Sequence, residues 1–249
     1  MVFLKSALFT IIYFAFFKKI LKIIFRKTNW RIQKIYRNKS YINNKPNLEL
    51  VKAMIDCKGI IHMGAHRGQE APVYDWFNKK TIWIEANPNL LDYLEDNISQ
   101  YINQNIIHAL LSDQDKVMTK FYISNNDGAS SSIFKLGEAK SHSKIKMTSS
   151  TNIESTKFDT LVAQEQININ EYDFWVMDLQ GAELLALRGA VDSLKNCKFI
   201  YCEISKENIY LEGAKWGELK KFLGEHGFFP SWEPESSHTD ILFYKKNNL

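Results

Sequence analysis

The sequence predicts an α/β protein in which a mainly parallel sheet is covered by helices on both faces. Short apolar runs alternate with amphipathic segments over most of the chain, and there is no internal repeat. The composition, 45% hydrophobic and 24% charged residues, is that of a soluble globular protein. The length of 249 residues is enough for one such domain and an appendage.

The strands are predicted from short apolar or alternating runs. GIIHM, at 59–63, is apolar at almost every position and is typical of a buried strand. VMTKFYIS, at 117–124, alternates between apolar and polar residues, which indicates a strand with one exposed face. In chain order, strands are expected at 59–63, 81–85, 105–112, 117–124, the first part of 152–165, 173–179, 198–204 and 240–246.

The helices are predicted from apolar residues that recur at spacings of three and four. Segment 89–101 has five such residues on one helical face, and segment 216–228 is amphipathic and ends near Gly227, which suits a helix C-terminus. In chain order, helices are expected at 68–78, 89–101, the second part of 152–165, 183–195 and 216–228.

The remaining segments are polar. Residues 28–50 are expected to form a connector broken at Pro46, and the serine-rich residues 125–150 a loop with at most one short helix. The three cysteines are an odd number without metal-ligand spacing, which indicates reduced thiols in a cytosolic protein.

The first 45 residues differ in composition from the rest. They contain eleven Lys or Arg and no acid, whereas the remaining chain has 21 basic and 28 acidic residues. Ser6 to Phe17 is an uncharged run of twelve residues, shorter than the roughly 20 that cross a bilayer. Lys18, Lys22 and Arg26 follow at helical spacing. We therefore expect residues 1–45 to be a membrane-associating segment and linker, with an amphipathic helix on the cytoplasmic face of a membrane.

Residues 46–249 are then expected to form the folded domain. The alternative for the N-terminal helix is that it packs on this domain. Nucleic acid is a weaker partner for the basic segment, because few aromatic residues alternate with the basic ones and the rest of the chain is acidic.

Polar residues and glycines fall where the predicted strands end. In open sheets of parallel strands, ligands bind at the carboxyl ends of the strands, where the strand order reverses. This edge is therefore the expected site of chemistry. The residues at the ends of successive strands are Gly64 and Gly68, Glu85, Asp113, Asp178 and Glu203.

The loop after the first strand excludes two kinds of cofactor. A Gly-x-Gly-x-x-Gly fingerprint starting at Gly64 fails, because its later glycines fall on His66 and Gln69, and no Walker loop is present. Glu85, about 20 residues further on, is suited to accept both hydroxyls of a ribose. S-adenosylmethionine has a ribose and an amino acid but no phosphates, so it fits a loop without a diphosphate cradle.

Five motifs in this order and spacing resemble the FkbM family of S-adenosylmethionine-dependent methyltransferases over residues 59–245. They are IIHMGAHRGQE, WIEANP, FDTL, DLQGAELLALRGA and FIYCEI. The resemblance implies the Rossmann-like class I methyltransferase fold and O-methylation, often of sugars or polyketide-like hydroxyls. The usual loop of the family reads Asp-x-Gly-Ala-Asn, whereas this chain has His62 and His66 at the two polar positions.

Cofactor binding is accordingly expected from residues of four strand ends, with Asp178 or a backbone carbonyl holding the ammonium group of the methionine part. Asp113 is also compatible with a simple turn. In that case the backbone of 110–113 would still face the adenine. The expected cofactor residues are Gly64, Ala65, His66, Gly68, Glu85, Ala86, Asn87, Ser112, Asp113 and Asp178.

Methyl transfer to a hydroxyl benefits from a base, and Asp178 and Glu203 are the expected candidates. No metal is assigned, because two acids do not make a metal site. The loop 125–150 is expected to close over the acceptor. The expected acceptor residues are Ser130, Ser131, Ser132, Gly181 and Glu183, although Glu183 also suits the start of a helix.

The sequence thus predicts an O-methyltransferase for a hydroxyl of a glycan, glycolipid or similar polyol. Two other hypotheses stay open: a catalytically silent, membrane-bound interaction module of the same fold, and an RNA methyltransferase. Among the histidines, His62 is expected in the core, whereas His142, His226 and His238 are expected at the surface.

Overall fold

The computed structural model describes residues 48–138 and 144–246 of the chain. The predicted membrane-associating segment, with its amphipathic helix, lies outside the described residues, as does His142. The predicted connector 28–50 extends too far at its C-terminal end, because the first described helix begins at Leu48. That helix forms because Leu50, Ala53 and Met54, at helical spacing, are buried.

Seven strands form one sheet in the order β3-β2-β1-β7-β8-β10-β9. Strand β1 pairs in parallel with both β2 and β7, so the order reverses between these neighbours, and β10 runs antiparallel to β8. The strands are β1 (Gly59–Met63), β2 (Lys80–Glu85), β3 (Gln104–His108), β4 (Leu110–Leu111), β5 (Met118–Ser124), β6 (Met147–Thr156), β7 (Phe174–Met177), β8 (Phe199–Ser205), β9 (Phe228–Pro230) and β10 (His238–Lys245).

Helices cover both faces of this sheet. The described α-helices are α1 (Leu48–Asp56), α2 (Ala71–Trp76), α3 (Leu91–Ile98), α4 (Phe158–Gln164), α5 (Glu183–Arg188) and α6 (Trp216–Glu225). Because strand side chains alternate, Ile60 joins a core with α1 to α3 on one face, and Ile61 joins a core with α4 to α6 on the other. The predicted α/β architecture is confirmed.

Two strand predictions need correction. The expected strand 105–112 is divided at Ala109, whose backbone N–H donates to the carbonyl oxygen of Glu85, so that β4 leaves the main sheet. The loop expected at 125–150 ends early, because β6 begins at Met147 and pairs antiparallel with β5. Strand β6 is rich in serine and threonine, is largely exposed and has no apolar pattern. Strands β4, β6 and β5 form a second, three-stranded sheet.

Two helix predictions also extend too far. The helix expected at 183–195 ends at Arg188 and is followed by a 3₁₀ turn, Ser193–Asn196. Gly189, which ends this helix, lies so close to β4 that a Cβ there would be 2.1 Å from the carbonyl oxygen of Ser112. The helix expected at 216–228 ends at Glu225, and Phe228 instead opens the edge strand β9.

The cysteines are buried and unbonded to one another. Cys57, Cys197 and Cys202 are free thiols in the structure, and burial raises the pKa of Cys57 to about 12. They therefore behave as small core residues. Among the described residues, there is also no helix of the length and apolarity needed to cross a bilayer.

Candidate active site

The carboxyl ends of the parallel strands surround a cleft of about 570 Å³, the main cleft. It lies where the strand order reverses between β1 and β7. Strand β4 and the loops after β1, β2 and β7 contribute its walls, and the segment after β5 covers one side. The lining residues are Gly64, His66, Ile84, Glu85, Ala86, Ala109, Leu110, Leu111, Phe121, Gly128, Ala129, Ser131, Ile133, Asp178, Leu179, Gln180 and Ala182.

Gly64 begins the loop after β1, and there is no room for a side chain at this position. Its φ is +85°, and a Cβ at this position would be 2.0 Å from the backbone carbonyl oxygen of Asp178. The backbone N–H groups of Gly64 and Ala65 both donate to the carbonyl oxygen of Ile84. The loop is thereby held against the ends of β2 and β7, which form the cleft.

Glu85 ends β2 with a buried carboxylate that is held by the backbone. Its Oε2 accepts a hydrogen bond from the N–H of His66 at 2.6 Å, and its Oε1 accepts one from the N–H of Asn87 at 2.8 Å. Each carboxylate oxygen has further acceptor capacity. Glu85 therefore presents fixed acceptors to the main cleft, as a ribose site requires.

His66 connects the β1 loop to the segment after β5. Its Nε2 lies 2.9 Å from the carbonyl oxygen of Asp127, and its Nδ1 lies 2.8 Å from Nε2 of Gln69. A carbonyl oxygen only accepts, so Nε2 carries the proton and Nδ1 accepts from the Gln69 amide. His62, by contrast, is buried in β1 as expected, with its ring stacked on Trp83.

The loop after β7 links Asp178 to Glu203 of the neighbouring strand through one amide. Nε2 of Gln180 donates to a carboxylate oxygen of Asp178 and, at 2.9 Å, to Oε2 of Glu203. Oε1 of Gln180 accepts from the hydroxyl of Tyr210 at 2.6 Å. Glu203 lies within β8, two residues before its end, and is buried.

Glu183 closes the same loop from the first turn of α5. Its Oε1 accepts hydrogen bonds from the N–H groups of Leu179, at 2.8 Å, and Gly181, at 3.2 Å. Burial, reinforced by the charges of Glu203 and Asp178, raises the pKa of Glu183 to about 8. This shift favours the protonated form of Glu183 near neutral pH, and the side chain fixes the loop through its two backbone hydrogen bonds.

A second cavity of about 320 Å³ lies on the other side of this loop. Glu203 lines it, and Oε1 of Glu203 lies 3.2 Å from Nε2 of His238 on β10. Sequence analysis expected His238 at the surface, but its side chain is only 24% exposed and belongs to the site. The lining residues are Gly181, Glu183, Glu203, Ile204, Ser205, Glu207, Ile209, Tyr210, Gly213, Ala214 and His238.

The serines of the segment after β5 make hydrogen bonds within the protein. The hydroxyl of Ser132 donates to the carbonyl oxygen of Gln180 at 2.8 Å, and the hydroxyl of Ser131 accepts from the N–H of Ser124 at 3.1 Å. Ser130, Ser131 and Ser132 are all buried, and of the three Ser131 lines the main cleft. These contacts hold the segment over the cleft.

The expected cofactor residues divide into two groups. Gly64, His66, Glu85, Ala86 and Asp178 line the main cleft, whereas Ala65, Gly68, Asn87, Ser112 and Asp113 do not. Gly68 packs against α3, since a Cβ there would be 2.7 Å from Leu94, and the side chain of Asn87 accepts from the N–H of Asn89 in the following turn.

Sequence reasoning missed three contributors in particular. Phe121 of β5 and Leu179 line the main cleft, and Gln180 separates it from the second cavity. The segment Asp178 to Glu183 carried a signal, because Gln180 follows the expected acid Asp178 by two residues and its amide is available to bond that carboxylate. Phe121 carried none, because its strand belongs to the second sheet.

Metal ligands are not grouped in the part of the chain that the structure describes. No three His, Cys, Asp or Glu residues among 48–138 and 144–246 are arranged to hold a metal ion. The carboxylates of the site are instead bonded to backbone N–H groups, an amide and an imidazole.

The doubly wound sheet and the acid-bearing cleft at its switch point are the architecture expected of a class I methyltransferase, and sequence comparison gives the family. The methyltransferase FkbM domain matches residues 62–230, and the chain belongs to that family. The protein is therefore a methyltransferase that uses S-adenosylmethionine. The family expected from the five motifs is confirmed.

Solved structures with a similar fold have low sequence identity. Magnesium protoporphyrin IX methyltransferase from Synechocystis is 8% identical over 80% of this chain and 76% of that chain, with a TM-score of 0.44. Fibrillarin from Aeropyrum pernix, with natively bound S-adenosylmethionine, is 11% identical over 84% and 76%, with a TM-score of 0.46. A methyltransferase from Aquifex aeolicus is 12% identical over 86% and 96%, with a TM-score of 0.44.

These similarities carry no information about the acceptor. A comparison with curated protein sequences finds no match for this chain.

Proposed function

We propose that this methyltransferase acts on a hydroxyl group of a glycan, glycolipid or similar small polyol. The observation that carries the proposal is the pair of carboxylates, Asp178 and Glu203, which one amide of Gln180 joins between the main cleft and the second cavity. A sugar hydroxyl is a poor nucleophile, and a carboxylate in the site is suited to accept its proton.

The cofactor fits the main cleft by the chemistry of its walls. The carboxylate of Glu85 would accept the ribose hydroxyls, and the apolar side chains of Leu110, Leu111 and Phe121 would pack against the adenine. Asp178 would lie near the methionine part. When bound, S-adenosylmethionine supplies a methyl group on a positively charged sulfur.

The charge of the second cavity favours an acceptor that donates hydrogen bonds. Glu203 and Glu207 line the cavity with carboxylates, and Ser205 and Tyr210 add hydroxyls. Phosphate groups would be repelled by these acids, which argues for a neutral or cationic polyol over RNA.

The segment after β5 would close over the acceptor. The hydroxyl of Tyr210, which donates to Gln180, lies 3.1 Å from the carbonyl oxygen of Ser130, and the hydroxyl of Ser132 donates to the carbonyl oxygen of Gln180. In this proposal the serines position the lid, and Gly181 and Glu183 form the wall shared with the second cavity.

Recruitment to a membrane is part of the proposal. The first 45 residues carry eleven basic residues and no acid, beside an uncharged apolar run. Such a segment would bring the enzyme to the anionic cytoplasmic face of a membrane, where a lipid-linked acceptor is held.

Incubation of the full chain with methyl-labelled S-adenosylmethionine tests the function. Separate reactions contain a lipid-linked glycan extract, a panel of free sugars and total RNA. We expect label in the glycan fraction that resists alkaline ester hydrolysis, as an ether does. Label in RNA alone would contradict the proposal, and label in no fraction despite cofactor binding would favour a silent interaction module.

A further inference from the structure

We propose that Glu203 and His238 form a proton relay, in which Glu203 accepts the proton of the acceptor hydroxyl and His238 passes it to water. The inference rests on the O-methylation proposed above and assigns a role to a histidine outside the sequence motifs of the family.

The two side chains are brought together by an antiparallel pair of strands. In the register of β8 and β10, His238 lies opposite Ser205 and Asp240 lies opposite Glu203, so His238 and Glu203 are diagonal neighbours on one face of the sheet. Nε2 of His238 lies 3.2 Å from Oε1 of Glu203, and both residues line the second cavity. The contact is therefore built by the sheet and not by a mobile loop.

Glu203 and His238 differ in their exposure to solvent. The side chain of Glu203 is 6% exposed, whereas that of His238 is 24% exposed. A carboxylate that takes up a proton in every turnover has to return it to water, and Glu203 has little contact with water itself. His238 contacts this carboxylate, lines the same cavity and is the more exposed of the two, and an imidazole ionises near neutral pH.

The other oxygen of Glu203 has a different kind of partner. Oε2 accepts from Nε2 of Gln180 at 2.9 Å, and an amide nitrogen donates hydrogen bonds without taking up a proton. Tyr210 fixes this amide, and burial raises the pKa of Tyr210 above its usual range, so that its hydroxyl remains a donor. Of the two partners, His238 is the one that can receive the proton.

The charges around His238 support a transient imidazolium. The carboxylates of Glu203 and Glu207 line the cavity that His238 also lines, and negative charge near an imidazole stabilises its protonated form. The ammonium of Lys206 is bonded to the carbonyl oxygen of Pro234. The acidic groups that line the same cavity or lie on the same strand face are Glu203, Glu207 and Asp240, together with Glu183, whose raised pKa favours its uncharged form.

The chemistry of O-methylation needs such a route. Methylation of a hydroxyl forms a C–O bond, breaks the methyl–sulfur bond with its electron pair going to sulfur, and releases the hydroxyl proton. In the relay this proton moves to Glu203 and then to Nε2 of His238, and it leaves from that same nitrogen to water that enters the second cavity, while the buried Nδ1 keeps its proton throughout. Both residues end each turnover in their starting states.

The first test needs neither cofactor nor acceptor. The ring of His238 is titrated by NMR in the histidine-labelled full chain, with its signal assigned from the His238→Gln spectrum. In Glu203→Gln, the loss of a negative neighbour destabilises the imidazolium, so we expect the titration midpoint of His238 to fall by half a pH unit or more. An unchanged midpoint would show that the two groups are not coupled and would overturn the relay.

The second test measures methyl transfer from labelled S-adenosylmethionine to the lipid-linked glycan extract. We expect His238→Gln to lower the initial rate at least tenfold, with recovery on addition of imidazole, because a free base replaces the missing ring. His226→Gln serves as the control, because the ring of His226 bonds to the carbonyl oxygen of Phe222 in α6. Equal cofactor affinity, measured by calorimetry, verifies the fold of each variant, and His238→Asn replaces a variant that fails this check.

The outcomes separate the two proposals. A wild-type rate in His238→Gln, or a loss that imidazole does not restore, overturns the relay and leaves the O-methylation intact. A wild-type enzyme that methylates nothing in the extract overturns the O-methylation, and the relay with it.

Discussion

The α-carbon of Gly64 lies against the backbone carbonyl oxygen of Asp178, and a Cβ at position 64 would be only 2.0 Å from that oxygen. The contact joins the loop after β1 to the end of β7. We expect Gly64→Ala to lower the free energy of unfolding by about 2–4 kcal/mol, because it adds a backbone clash to a φ of +85°. Urea unfolding of the full chain measures this change.

Gly224→Ala is the matched control. Gly224 lies in α6, and a Cβ there would have no atom within 4 Å. Alanine favours a helix by up to about 1 kcal/mol over glycine, so this variant should be as stable as the wild type or more so. Equal stability of both alanine variants would contradict the close packing of Gly64.

Glu85→Gln tests the ribose site. Both carboxylate oxygens of Glu85 accept from backbone N–H groups, so an amide would turn its NH₂ group toward one of these donors. We expect the affinity for S-adenosylmethionine to fall by about 1.5–3 kcal/mol, which is roughly 10- to 150-fold. Calorimetry measures it, with Glu95→Gln on the exposed side of α3 as the control. Unchanged affinity in a folded Glu85→Gln variant would remove Glu85 from the cofactor site.

The strand-end residues of the main cleft could be predicted because they follow local patterns. GIIHM is apolar enough to identify a buried strand, and Gly64 and Glu85 directly follow or end such strands. The periodicity of 2 or 3.6 also identified the sheet and most helices. Local patterns thus predicted where the site lies.

The second cavity could not be predicted in the same way. The contact of Glu203 with His238 depends on antiparallel pairing between β8 and β10, which 32 intervening residues separate in the chain. The first half of β6, residues 147–151, was missed for a related reason, because its serines and threonines pair with β5 through the backbone and show no apolar alternation. Interactions between distant strands leave no local signal.

Asp178→Asn tests the carboxylate at the end of β7. Asparagine has nearly the same shape, so the fold is retained, but its amide cannot accept a proton. We expect turnover with the glycan extract to fall by about 10²-fold or more, because Asp178 orients the acceptor for the base Glu203. Asp96→Asn, on the exposed side of α3, should leave the rate unchanged. Near wild-type turnover in Asp178→Asn would mean that Asp178 does not orient the acceptor.

Glu183→Gln tests the neutral acid beneath the loop after β7. Burial raises the pKa of Glu183 in the folded protein to about 8, whereas an unfolded chain releases this proton near pH 4.3. Between these values the folded state holds a proton that the unfolded state has lost, so the stability of the wild type falls as the pH rises. Glutamine does not titrate, and we expect Glu183→Gln to gain up to several kcal/mol relative to the wild type between pH 5 and pH 8.

Urea unfolding at several pH values measures this difference. Glu165→Gln is the control, because Glu165 is exposed after α4 and its replacement should leave the pH dependence unchanged. A constant difference in unfolding free energy between wild type and Glu183→Gln over this range would mean that Glu183 is ionised in the folded protein.

The last prediction concerns the charges that follow the apolar run of the N-terminal segment. Each basic residue near an anionic surface contributes about 1 kcal/mol to membrane binding. Replacement of Lys18, Lys22 and Arg26 by glutamine in the full chain should therefore weaken binding to vesicles rich in anionic lipid by about 10²-fold. Co-sedimentation with vesicles measures it.

Replacement of three exposed lysines of the folded domain, Lys116, Lys120 and Lys221, by glutamine is the charge-matched control. It removes the same number of charges without touching the N-terminal segment, so it should leave most vesicle binding intact. Both triple variants should retain cofactor affinity, because the described residues that line the main cleft include none of those replaced. Binding of the full chain should also weaken as salt is added, since salt screens exposed charges. Equal sedimentation of the wild type and both variants would mean that the N-terminal charges do not attach this enzyme to a membrane.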